Sequence, residues 1–518
     1  MTEQQRLAIT APDTCVWVDG PAGAGKTSVL VQRVLHLVEH LHAAPDRICV
    51  LTFTRAAAAV LEARLDALGV RGCVVGTLHA IAMKITSSYP DLIDRLEGFR
   101  VADEKDCGAA RELAAWSLRR KLKGLTPKER DRANALAVEW LKRANVAPYE
   151  LVMDGARRAT AEMWAPSWLL VDEVQDLDAS QWSFVEQCRA AGARVFAVGS
   201  QAQSIYRFRG ALPDRAPAWA AEVGALRLSL DANHRCVRSV VEVAGRFGGL
   251  SGVGYVESAA RPEVGSAVLL RMEGRSSEDA GAVVVNAVKG WIAQGGKHED
   301  IAILCPMWWP LSRLSVALDD EEIPWRLDNA DRDDLGQLLL RLWVRLLAAP
   351  TNDILAFRLL QELSPDWSAR LDMFMPFGST PLLVAAGDRG LLPRGRALPD
   401  LLPLVARRLA GEGLDMQTVV GLVRTVEAMT HRERMRWAED PETGTQDEPS
   451  KGVLLSSIHG AKGDEWPCVI YLRNSVTDHC LDYVAVTRAQ EELTVVSLAE
   501  VQPELTQRFR LNPGWIDV

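Results

Sequence analysis

Short apolar runs separated by amphipathic stretches set the pattern of this chain. The runs Cys15–Val18, Ile48–Phe53, Trp168–Val171, Val195–Val198 and Leu226–Leu230 are too short for helices and read as buried strands. The second half repeats the theme at Ala267–Arg271, Ile301–Leu304, Val453–Ser457, Val469–Leu472 and Leu493–Ser497. Between runs, apolar residues recur at helical spacing, as at Val29, Val34, Leu37 and Val38. Parallel strands need crossover connections, so strands alternating with helices predict an α/β fold of parallel sheets flanked by helices. Two stretches, roughly 81–165 and 331–450, break the alternation and read as mainly helical insertions. The second holds Leu335–Leu347, stopped by Pro350, and a helix starting near Asn352-Asp353. A polar run over Glu439–Lys451, with Pro441, Gly444 and Pro449, reads as a linker back into the α/β core.

Composition narrows the class. A chain of 518 residues has room for about three or four domains. With 48% hydrophobic and 25% charged residues and a mean hydropathy near zero, it reads as soluble and globular. No apolar run reaches the roughly 18 residues of a membrane span, and the polar N-terminus lacks a signal-peptide core. Nine scattered cysteines with no C-x-x-C pair argue for reduced thiols in a cytoplasmic protein and against zinc or iron–sulfur centres. The net charge of −9 does not favour nucleic acid, yet phosphate contacts need only a local basic track. Arg119-Arg120-Lys121-Leu122-Lys123, continuing to Lys128, Arg130 and Arg132, is one candidate track; it serves equally well as a solvated helix face.

Chemistry enters after the first apolar run. Gly20-Pro21-Ala22-Gly23-Ala24-Gly25-Lys26-Thr27, followed by Ser28, fits GxxxxGK[ST] between a strand and a helix. Such a loop turns its backbone N–H groups on nucleotide phosphates, with Lys26 reaching the β and γ phosphates and Thr27 holding Mg²⁺. The run Trp168–Val171 ends in Asp172-Glu173-Val174-Gln175-Asp176, the acidic counterpart of that loop. Asp172 is expected to bind Mg²⁺ and Glu173 to activate water, since adjacent carboxylates leaving a strand point in different directions. Together they imply binding and hydrolysis of a nucleoside triphosphate.

Further segments follow in a fixed order: Glu3-Gln4-Gln5-Arg6, Leu51-Thr52-Phe53-Thr54-Arg55-Ala56-Ala57, Gly76-Thr77-Leu78-His79, and Val198–Gly210 with Gln203, Tyr206, Phe208 and Arg209. Asn233-His234-Arg235-Cys236, Ser457–Trp466 and Tyr483-Val-Ala-Val-Thr-Arg488-Ala complete the series. The series resembles the UvrD/Rep/PcrA-like helicases of superfamily 1A, over nearly all of the two α/β halves and weakly in the insertions. The resemblance implies two RecA-like domains: 1–80 with 166–240, carrying the ATP site, and 241–330 with 451–518. It also implies a helical insertion at 81–165 and a reduced one at 331–450.

Residue by residue, the resemblance gives Gln5 and Arg33 to the adenine side, His234 to the position of an adenine-stacking tyrosine, and Glu465 to the ribose. It makes Arg235 and Arg488 arginine fingers and Gln203 the γ-phosphate sensor. Phe53, Arg55, His79, Tyr206, Phe208, Arg209 and His459 would face single-stranded DNA, aromatic rings being tolerant of any base. Lys462 and Trp466 belong to the Ser457–Trp466 motif without an assigned contact. Ser200 stands in place of an aspartate, the acidic pair expected before Tyr483 reads Thr477-Asp478-His479-Cys480-Leu481, and the GIG-type duplex-binding turn is not found. The implied activity is ATP-dependent 3′ to 5′ translocation or unwinding in repair, recombination or replication restart, with single-stranded or junction DNA as the track. An alternative is a nucleotide-gated subunit of an antiphage complex that regulates a partner nuclease; a repair protein is the other implied partner.

Overall fold

The computed structural model describes residues 1–12, 14–89, 100–102, 104–118, 125–144, 146–162, 164–250, 258–261, 266–271, 277–306, 309–327, 356–359, 452–473, 478–497 and 516–517. The cationic run Arg119–Lys123, the expected helices at Leu335–Leu347 and from Asn352, and the linker Glu439–Lys451 lie outside these residues.

The strands in chain order are β1 (Val16–Asp19), β2 (Ile48–Thr52), β3 (Val74–Thr77), β4 (Arg100–Val101), β5 (Val146–Ala147), β6 (Trp168–Val171), β7 (Arg194–Gly199), β8 (Leu226–Ser229) and β9 (Ala232–Val237). They continue as β10 (Ser258–Arg261), β11 (Ser266–Arg271), β12 (Ile301–Cys305), β13 (Trp325–Leu327), β14 (Val453–Ser457), β15 (Trp466–Arg473), β16 (Ala489–Ser497) and β17 (Ile516–Asp517). Six form a parallel sheet in the order β3-β2-β6-β7-β1-β8, and seven form a second in the order β13-β14-β12-β15-β16-β11-β17. The expected parallel α/β architecture is therefore observed, twice.

Burial explains why these strands were readable. Every residue of β2, β6 and β12 is buried, as a sheet covered on both faces requires. Strand β9 escaped the reading because its sequence, Ala-Asn-His-Arg-Cys-Val, is largely polar; among the described residues it pairs with β10 in a two-stranded ribbon. The helix Lys26–Glu39 turns Val29, Leu30, Val34 and Leu37 into the core of the first sheet. A further core joins Ala202, Ile205 and Tyr206, beyond β7, to Ile458, Tyr471, Tyr483 and Val484 of the second lobe.

The chain forms two compact units. One comprises Met1–Ile85, Ala156–Arg332 and Pro449–Val518 and contains both large sheets. The other comprises Thr86–Gly155 and Asp333–Glu448. In it β4 and β5 pair in parallel, and the helix Pro127–Arg143 opens on a Thr126–Glu129 capping box with Pro127 in its first turn. That helix buries Ala133, Ala137 and Leu141 and leaves Lys128, Arg130 and Arg132 exposed, a solvated face. A buried ion pair of 2.6 Å ties Arg358 to Asp106 in the same unit. No helix among the described residues is long and apolar enough to cross a membrane.

Candidate active site

Ligands of open parallel sheets sit beyond the carboxyl ends of the strands, and the motif residues of the first sheet gather there. The loop Gly20–Gly25 leaves β1 and enters the helix Lys26–Glu39. Gly23 and Gly25 lie at φ +71° and +77°, where a side chain is strained. Gly23 also has no room: a Cβ there would come within 2.6 Å of Asn233 Oδ1 and 2.8 Å of the Arg235 Cβ. His234 N–H donates to the Gly23 carbonyl at 2.9 Å, so β9 packs directly on the loop. The Ala22 N–H donates to the Tyr483 hydroxyl at 3.0 Å, a second contact from the later part of the chain.

Lys26 is buried, its ammonium donating to the carbonyls of Gly20 (2.9 Å) and Pro21 (2.8 Å) and to Gln203 Oε1 (2.9 Å). Burial lowers its pKa, opposed by the charges of Glu173, Asp172 and Asp19. Thr27 Oγ1 donates to Asp172 Oδ2 at 3.1 Å. A hydroxyl and a carboxylate held together at the head of a helix fit Mg²⁺, which takes one or two protein oxygens and fills its shell with water and phosphate. Burial, followed by the Glu173 charge, pushes Asp172 up to about 7. Glu173 has φ +51°, uncommon for a residue with a side chain. The two carboxylates have separate partners: Asp172 Oδ1 accepts from the Glu173 N–H at 3.0 Å, whereas the Glu173 carboxylate accepts from the Gln175 amide. Burial alone would raise Glu173; the charges of Lys462 and Lys26 hold it below its ordinary value instead.

The two arginines lie on β9 and just before β16; Cys236 and Val237, next to Arg235, share a core with Tyr483 and Val484 of the later part of the chain. Arg235, half-buried, pairs with Glu465 and donates to the Thr487 carbonyl at 3.2 Å. Arg488 is buried, donating to the carbonyls of Val484 (3.0 Å) and Asp464 (3.1 Å). Burial, then the Arg235 charge, brings it down to about 9, still cationic at neutral pH. Glu173 and Arg488 lie close enough to influence one another's ionisation. Gln5 is buried beside the loop, its amide donating to the Ala24 carbonyl at 3.0 Å and accepting from Thr2 N–H at 2.9 Å. His234 is exposed.

Two expected contacts differ. Arg33 is fully buried, its guanidinium donating to the carbonyls of Ile9 and Ala11 at 2.7 Å and lying against the Trp168 ring; it braces the segment after the first helix rather than meeting adenine. Tyr206 is buried, stacked on Phe53 at 4.7 Å between ring centroids, with its hydroxyl 3.4 Å from the His459 carbonyl. It is packed as core and presents no free face to a base. Phe208 is 69% exposed, with His459 edge-on at 5.3 Å and the Arg209 guanidinium 5.5 Å from its centroid. Arg55 and His79 are exposed.

Sequence reasoning missed three residues of this site. Lys462 carried no assigned contact, yet its ammonium pairs with buried Asp176, donates to the Gln203 carbonyl at 2.8 Å and lies 4.9 Å from the Tyr206 centroid. Asp176 was visible only as the last acid after β6, and Tyr483 only as part of the Arg488 motif. What each touches depends on the pairing of two sheets distant in sequence.

A phosphate loop and acidic pair on one parallel sheet, approached by Arg235 of the β9 ribbon and by Arg488 at the head of β16 in the second sheet, define a two-lobed RecA-like P-loop protein. Comparison with known proteins narrows that class. The UvrD/REP helicase N-terminal domain family matches residues 1–151 and 149–217, and the UvrD-like helicase C-terminal domain family matches 452–496. The chain belongs to the UvrD-like superfamily 1A helicases. It is 23% identical to ATP-dependent DNA helicase Rep of Buchnera aphidicola subsp. Acyrthosiphon pisum over 352 residues, 60% of this chain and 54% of that protein. To DNA helicase II of Escherichia coli (strain K12) it is 25% identical over 407 residues, 68% of this chain and 55% of the relative. The chain thus spans about half the length of these curated relatives. A match to ATP-dependent DNA helicase Rep of Escherichia coli (strain K12), at 23% identity, extends over 98% of this chain and 93% of the relative.

Proposed function

We propose that this protein is an ATP-dependent translocase or helicase that moves 3′ to 5′ on single-stranded DNA. The observation that carries the reading is a continuous path from the phosphate loop to the aromatic patch. Lys26 bonds Gln203, the Gln203 carbonyl receives Lys462, and Lys462 lies against Tyr206, beside Phe208 and His459. A change at the nucleotide moves Gln203 and, through it, the DNA-facing rings. The names of the relatives, ATP-dependent DNA helicase and DNA helicase, support the same reading.

In this reading Lys26 and the loop N–H groups hold the phosphates, while Thr27 and Asp172 hold Mg²⁺, which supplies charge neutralisation at the phosphates. Gln5, His234 and Glu465 border the nucleoside. Glu173 accepts the proton of the attacking water, its lowered pKa keeping it a carboxylate at neutral pH. Arg235 and Arg488 leave their carbonyl and carboxylate partners for the γ-phosphate, so lobe closure is linked to ATP and opening to its loss. Phe208 stacks on bases, flanked by Arg55, Arg209, His79 and His459, with Phe53 and Tyr206 forming the packed support beneath.

ATPase rates with and without single-stranded DNA test the proposal. The parent is expected to be stimulated severalfold, and Lys26→Ala to lose turnover by about 100-fold or more with an unchanged circular dichroism spectrum. Retention of DNA-stimulated ATPase by Lys26→Ala would sink the site assignment.

A further inference from the structure

Gln175, two residues after Glu173, is 1% exposed, and both ends of its amide are engaged. The Nε2 end donates to the Glu173 carboxylate. The Oε1 end accepts the Ser200 N–H at 3.0 Å. Ser200 follows the last residue of β7 and opens the segment that carries Gln203, Tyr206 and Phe208. The space around the amide is closed: a Cβ on Gly199 would stand 2.5 Å from Gln175 Oε1 and 2.8 Å from the Val174 side chain.

We propose that Gln175 is a positioning residue that fixes the Glu173 carboxylate and ties it to the start of the Ser200–Gly210 segment. The proposal rests on the reading of Glu173 as the group that accepts the water proton. The chemistry of the side chain suits the task. A carboxylate needs a donor and a backbone N–H needs an acceptor, and a primary amide supplies one of each from a single planar group. Glu173 sits at φ +51°, its backbone N–H bonded to Asp172 Oδ1 at 3.0 Å, while the Gln175 amide donates to its carboxylate. The same amide makes the carboxylate and the coupling segment a single hydrogen-bonded unit. Displacement of Ser200 as Gln203 follows the nucleotide therefore displaces the carboxylate. Lys462 connects these elements from the far side, through Asp176 and the Gln203 carbonyl.

The test is ATP turnover of Gln175→Met and Gln175→Glu in the full chain, alone and combined with Glu173→Gln. Methionine keeps the volume and removes both bonds; glutamate keeps the acceptor for Ser200 and places a like charge beside Glu173. Both variants should lose roughly tenfold or more in kcat with single-stranded DNA, with KM for ATP within about twofold of the parent. In the Glu173→Gln background, with residual turnover followed under excess enzyme, Gln175→Met should add nothing, because the two residues act as one unit. Parent-like kcat in both variants overturns the proposal, as does a Gln175→Met loss of equal size in the Glu173→Gln background. Binding of a fluorescent ATP analogue with parent affinity shows that a variant is folded; if the methionine variant is not, the glutamate variant decides. Absence of ATPase in the parent would instead overturn the functional reading beneath the proposal.

Discussion

Tyr206 and Phe208 are two residues apart and have opposite surroundings. Tyr206 fills a core with Phe53 and receives Lys462 on its face, while Phe208 stands 69% exposed. Phe208→Ala should weaken single-stranded DNA binding by about 1–3 kcal/mol in a fluorescence-anisotropy titration, leaving the melting temperature unchanged. Tyr206→Ala should do the reverse in part: loss of a buried ring costs about 3–5 kcal/mol of stability, read in urea unfolding. At this scale the gathering of Lys26, Thr27, Asp172 and Glu173 was legible in the sequence. Lys26, Thr27, Asp172 and Glu173 lie at fixed offsets from the ends of two apolar strands, so local sequence alone places them at one sheet edge. Arg33 and Tyr206 were not legible. Their burial is decided by what packs on them, the segment Ile9–Pro12 for one and the second lobe for the other.

Among elements, strands buried on both faces were the easiest to read, and polar β9 was missed although it packs on the phosphate loop. The joint between the lobes lay beyond any local pattern. It includes the segments after β6 and β7 and the turn after β14, whose Lys462 pairs with buried Asp176 and donates to the Gln203 carbonyl. Burial pushes Asp176 up to about 6, with the Lys462 charge drawing it back down. Removing one member of such a pair leaves the other charged, buried and unpartnered, a cost of about 3–5 kcal/mol. Lys462→Met should therefore lower unfolding stability by that order and reduce the stimulation of ATPase by DNA. Adding Asp176→Asn should recover most of the stability, because no unpaired charge remains, without restoring the stimulation. Stimulation at the parent level in Lys462→Met would remove the pair from the coupling path.

For the whole molecule, two RecA-like sheets lie in one compact unit, with Thr86–Gly155 and Asp333–Glu448 forming another. The fold follows from the ordered series of strands and motifs, and the proposed nucleotide chemistry rests on the motifs at the first sheet's carboxyl edge. The resemblance is weakest in the two insertions. The central claim, that hydrolysis between the lobes drives directed movement along a single strand, is tested most directly by one comparison. ATP-dependent strand separation would be measured on duplexes bearing a single-stranded 3′ tail or a 5′ tail, with ATPase followed in the same samples. The account predicts DNA-stimulated ATPase on both tails and strand separation from the 3′ tail alone. ATPase unresponsive to DNA, or separation from the 5′ tail alone, would contradict it.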